Sequence, residues 1–83
     1  MKQCTGDYLY KGFLINFSEY DQAWRLEPTL QLTGDDSDTA IDFAIEYNND
    51  SKKFRTINQA KRYIKDNYNE LVLEIKKLYE DFK

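Results

Sequence analysis

Eight apolar residues at steps of three and four constrain this chain more than any other feature. Ile57, Ala60, Ile64, Tyr68, Leu71, Ile75, Leu78 and Phe82 follow one another with no slip of phase. At about 100° per residue they fall in a band roughly 80° wide, the mark of one helix face. Thr56 is placed to cap that helix, and Gln59 three residues on completes a capping box. An unbroken helix over 57–82 would run about 39 Å at about 1.5 Å per residue. Strands of eight or nine residues reach under about 30 Å at roughly 3.3 Å each. Either something covers the overhang or the helix breaks. "KDNYNE" offers the break, because Asn67 can end one helix or cap the next. A continuous helix leaves the stripe Leu71, Ile75, Leu78 and Phe82 uncovered and implies a homodimer through the C-terminal helix. A broken helix implies a compact monomer.

Before that helix, residues 8–50 read mainly as strands. "YLYKGFLINFSEY" reads as one strand, with Leu9, Phe13, Ile15 and Phe17 on one parity and Tyr8, Tyr10 and Leu14 on the other. Gly12 inside it marks a bulge or a close backbone approach. "WRLEPTLQL" alternates as well, placing Trp24, Leu26, Leu30 and Leu32 on one face with Pro28 among them. Proline cannot donate to a ladder, so either this strand ends near Glu27 or the first strand is the central one. After the acidic turn "TGDDSD", residues 39–47 alternate again through Ile41, Phe43, Ile45 and Tyr47 and read as a strand. A helix is the rival there, since Ile41, Ala44 and Ile45 also sit at helical spacing. The expected architecture is α+β, one domain over 1–83. A small antiparallel sheet of about three strands would carry a C-terminal helix, or a kinked helix pair, packed on one face.

The chemistry open to 83 residues of this composition is narrow. The chain has no histidine, which removes the commonest general base and metal ligand, and a single cysteine, Cys4, which cannot pair within the chain. Its three glycines are isolated, so no phosphate loop is present. "GDDSDTAID" superficially resembles a calcium loop, but its glycine precedes the acids instead of following them. The expectation is therefore no enzyme, no cofactor and no metal. With a lone cysteine and no apolar run near the ~20 residues of a membrane helix, the expected place is the cytoplasm.

Charge divides the chain in two. Residues 1–50 carry a balance of −7 and residues 51–83 one of +4, within a net charge of −3. The basic half opens on "SKKFRTINQAKRYIK", where Lys52, Lys53, Arg55, Lys61, Arg62 and Lys65 stand without an acid. Six cations are enough to grip several phosphates, or they are the solvated face of a helix that balances acidic neighbours. A dedicated nucleic-acid binder is basic overall, whereas the pI here is about 4.8. In the acidic half, Asp35, Asp36, Asp38, Asp42 and Glu46 form a candidate patch that would compete for a basic nucleic-acid-binding surface and speed encounter with it. Seven tyrosines exceed what a core this small needs, and serve either as interface anchors or as half-buried sheet residues.

The run "YKGFLINF", then "WR", then "FRTINQAKRYI", resembles a pattern in short hypothetical proteins of bacterial phages and mobile elements. The segment that carries it is Thr56, Ile57, Ala60, Lys61, Tyr63 and Ile64. The resemblance implies a small antiparallel sheet followed by a helix, and an accessory protein of the kind that binds and inhibits a host factor. The functional expectation is a non-enzymatic protein-interaction domain using an acidic, Tyr-rich surface. Nucleic-acid binding through residues 51–65 is the alternative.

Overall fold

Lys11 and Gly12 both take positive φ, 49° and 88°, and turn the first apolar run back on itself. In the computed structural model, which describes residues 8–83, that run is a hairpin. β1 (Tyr8–Tyr10) pairs antiparallel with β2 (Phe13–Ser18). Two positive φ values in a two-residue loop match the twist of the arms, and glycine adopts them at little cost. The expectation of one continuous strand is thus corrected. A two-residue turn reverses parity, so Tyr8 stands opposite Ile15 and Tyr10 opposite Phe13 on one face. Leu9 and Leu14 face each other on the other. The close approach at Gly12 is real, since a Cβ there would lie 3.0 Å from the Leu32 side chain.

β3 (Ala23–Pro28) completes a meander of order β1-β2-β3. β2 is therefore central, and Pro28 falls at the last position of an edge strand, where a missing N–H costs nothing. The outer edge of β3 is covered by the chain itself. Trp24 exchanges backbone bonds of 2.8 and 3.0 Å with Phe54. Two residues along, Leu26 N–H donates to Ser51 Oγ at 3.2 Å and Leu26 C=O accepts from Asn48 Nδ2 at 3.2 Å. Buried backbone groups at this edge are thereby satisfied, and the edge is closed to further pairing.

Beyond Pro28 the strand expectation fails twice. Residues Leu30–Thr33 form a single helical turn, α1, capped by Thr29 and ended by Gly34 at φ 74°. Residues Asp38–Asp50 form a helix, α2, where a strand is expected over 39–47. Ser37 caps α2 through its hydroxyl, and Asp38 sits in the first turn where a negative charge is favoured. Ala40, Phe43 and Ala44 turn to the core. The alternation through Ile41 and Ile45 is incidental to the helix, because both side chains point outward.

The C-terminal pattern forms two helices, α3 (Ile57–Asp66) and α4 (Tyr68–Phe82), broken at Asn67. Asn67 folds its amide back to the Tyr63 carbonyl at 3.0 Å while its own carbonyl accepts from Leu71 N–H at 2.9 Å. The break keeps the molecule within 36 × 27 × 18 Å, shorter than an unbroken helix of about 39 Å. Thr56 caps α3 as expected, with Gln59 N–H bonded to Thr56 Oγ1 at 3.1 Å. The return bond of the capping box goes one residue further back, from Arg55 N–H to Gln59 Oε1 at 3.2 Å.

One core joins these parts. Phe13, Ile15 and Leu26 of the sheet meet Leu32 and Phe43 of α1 and α2, Ala60 and Ile64 of α3, and Leu71, Ile75 and Tyr79 of α4. The buried line along α4 thus runs 71, 75, 79 at steps of four. Leu78 and Phe82, expected on the stripe, are 41% and 37% exposed. A homodimer resting on an uncovered stripe loses its basis, because Leu71 and Ile75 are already buried within one chain.

Candidate interaction surface

Because α2 is a helix, it sorts the acidic residues into one row. Asp38, Asp42, Glu46 and Asp50 stand four apart and are all exposed. Ile41 and Ile45 lie between this row and the buried Ala40 and Ala44, and are 53% and 52% exposed. Leu30 of α1 is 60% exposed nearby. The three side chains line a shallow concavity of about 360 Å³, with Pro28 and Ala44 below and Glu27, Asp35 and Asp36 at its border. A single exposed leucine needs no account, but aliphatic side chains grouped this way within a ring of carboxylates do.

Asp35 leaves the expected patch for a structural role. Its carboxylate accepts from Ser37 N–H and from Ser37 Oγ, each at 2.9 Å, and from the Tyr79 hydroxyl. The Tyr79 bond, followed by those from Ser37, holds the Asp35 carboxyl below the ordinary carboxylate range. The same bond is the main cause that raises the Tyr79 phenol above its ordinary value. Asp36, Asp38, Asp42 and Glu46 remain exposed and together with the Ile pair make the candidate surface.

The basic residues take several different settings. Lys52 lies with its Nζ 5.1 Å from the Tyr63 ring centroid. Lys53 and Arg55 flank Phe54 at the β3 edge, beside Asp21 and Gln22. Lys61 stands 5.7 and 5.9 Å from the Tyr8 and Tyr10 rings, while Arg62 and Lys65 are exposed on α3. The tyrosines mostly take the half-buried role, with Tyr79 buried and Tyr20 at 95% exposure the extremes. Cys4 lies outside the described residues. Among the described residues no three His, Cys, Asp or Glu side chains are gathered to hold a metal ion, and no helix is long and apolar enough to cross a membrane.

The acids of this surface were visible in the sequence, whereas Leu30, Ile41 and Ile45 were not, because a strand reading puts both isoleucines on an inner face. The usable signal was Ser37 ahead of Asp38, an N-cap followed by an acid. The molecule is a small α+β domain with a three-stranded antiparallel meander and a closed β3 edge. The chain matches no family model, no curated protein and no solved structure.

Proposed function

We propose that this domain is a non-enzymatic protein-interaction module that docks on a basic surface of another protein through the outer face of α2. One observation carries the reading: Ile41 and Ile45 are more than half exposed beside the row Asp38, Asp42 and Glu46. Apolar contact at the centre supplies affinity, and the surrounding carboxylates steer a cationic partner and reject an anionic one. A partner surface built to hold nucleic acid has that character. An accessory protein of a phage or mobile element that inhibits a host factor by covering such a surface fits both this chemistry and the sequence resemblance.

The test is capture by the immobilised domain. Ile41→Ser with Ile45→Ser removes the apolar centre at exposed positions, so the fold is kept. Captured protein should be lost with this variant and retained when Lys53, Arg55 and Lys65 are reversed in charge. Capture indifferent to the α2 changes would overturn the reading. Nucleic-acid binding is the second reading, favoured by Lys11 and Lys61 lying within 5.9 Å of the Tyr10 ring, a cation beside a stacking surface. It predicts oligonucleotide binding that weakens steeply with salt and vanishes on reversal of Lys11 and Lys61.

A further inference from the structure

A second concave surface lies between α2 and α4, and its chemistry differs from that of the outer face. Its floor is aromatic, made by Phe43 and Tyr47 of α2, Tyr63 of α3 and Phe82 of α4, around a volume of about 420 Å³. The Phe43 ring lies 5.5 Å from that of Phe82 and 6.2 Å from that of Tyr47, so the floor is continuous. Both walls are acidic, with Glu46 and Asp50 on α2 and Glu74 and Asp81 on α4. Among the described residues, none of these four carboxylates enters an ion pair or a hydrogen bond. Among those residues, the one cation in the lining is Lys52, whose Nζ rests 5.1 Å from the Tyr63 ring centroid.

A cation placed above the apolar floor is attracted by the carboxylates of both walls. Ring faces add attraction for a cation within about 6 Å of their centroids. Lys52 demonstrates that contact within the molecule, on the rim. Burial, and then the charge of Glu74, push the Tyr47 phenol up to about 12, so it stays a neutral hydrogen-bond donor well into the alkaline range. A guanidinium suits such a site better than an ammonium, because it stacks flat on rings and presents donors to carboxylates on two sides.

We infer that the α2–α4 groove receives one arginine side chain from an extended segment of the partner, its stem on Phe43, Tyr47 and Phe82 and its guanidinium between the two acidic walls. The inference rests on the reading of the domain as a protein-binding module and names the side chain that anchors the partner. Lys52 is the built-in competitor, holding a cation at the rim until the arginine enters.

The experiment titrates a blocked Gly-Gly-Arg-Gly-Gly peptide, and the same peptide with neutral citrulline, into the isotope-labelled full chain. Ring resonances of Tyr47, Tyr63 and Phe82 are followed by NMR. The arginine peptide should shift them saturably and the citrulline peptide should not. Glu46→Gln and Glu74→Gln should each weaken binding by about two- to fivefold, and Lys52→Gln should tighten it by a similar factor. Absence of saturable shifts, equal response to citrulline, indifference to both glutamate changes, or a Lys52→Gln variant that fails to bind more tightly overturns the proposal. A domain that captures its partner through Ile41 and Ile45 yet leaves the groove rings unmoved refutes the arginine site alone. Groove binding without such capture refutes the outer-face reading alone.

Discussion

Single residues fix this fold where the backbone leaves ordinary φ. Gly12 and Gly34 take φ 88° and 74°, but only Gly12 is crowded, with Leu32 at 3.0 Å from a built Cβ and nothing within 4 Å at Gly34. Alanine at either site meets the left-handed penalty of about 1–2 kcal/mol. At Gly12 it must also displace Leu32, an overpacking cost of about 1–3 kcal/mol. Urea denaturation should therefore show Gly12→Ala more destabilised than Gly34→Ala, and equal losses would mean that Leu32 yields freely. Asp35 makes a pH-dependent contribution of definite sign. Its folded carboxyl titrates below the ordinary value of 3.8 because Tyr79 and Ser37 donate to it. Stability from this group is fully present above the unfolded value and is lost as pH falls through the lower folded one. The stability gap between the wild type and Asp35→Asn should stay constant from neutral pH down to about 5 and narrow below about 4. Tyr79 acts at the other limb, since a raised phenol contributes below pH 10 and loses that contribution as pH rises through its folded value. A gap that widens in acid would contradict the Asp35 assignment.

Among the elements, α4 gives the most direct test of phase. Ile75 is fully buried and Leu78 is 41% exposed, although both belong to one sequence stripe. Truncating Ile75 to alanine should cost about 2–5 kcal/mol. The same change at Leu78 should cost under about 1 kcal/mol, as for a surface substitution. Matching losses in chemical denaturation would mean that Leu78 belongs to the buried line as fully as Ile75 does. The helix itself was legible from its spacing, its Thr56 cap and its break point, because those are local signals. Its final register was not, since Tyr79 is drawn inward by Asp35, a residue 44 positions earlier. The sheet was legible in kind and in its count of three strands, but not in which segments supply them. Strand alternation persists through Tyr8–Phe17, and the parity reversal at Lys11–Gly12 hides unless two positive φ values are assumed there. In α2 a period of two and a period of 3.6 both pass through Ile41 and Ile45, and tertiary packing of Ala40 and Ala44 decides between them. The acidic row was therefore readable as a list of residues, while the apolar centre that gives it a use depended on the helix.

For the whole molecule, the arrangement of charge around Ile41 and Ile45 bears on whether the domain pairs with itself. A two-fold dimer through α2 would set this patch on its own copy. Asp38, Asp42 and Glu46 would then meet the same three carboxylates across the interface, all exposed and none balanced from the other side. At about 0.1 M salt the screening length is about 10 Å, too long to hide charges placed that close, whereas at about 1 M it falls to about 3 Å. Sedimentation should accordingly find a single 9.9 kDa species at the lower salt. Self-association should emerge at the higher salt, and also at low salt once Asp38→Asn, Asp42→Asn and Glu46→Gln are combined. Adding Ile41→Ser to that triple variant should abolish it again, since the apolar centre is then gone. A tight dimer of the unmodified chain at low salt would mean that these carboxylates do not repel across the patch. The surface would then be a self-complementary interface, and its partner another copy of the chain in place of a basic protein.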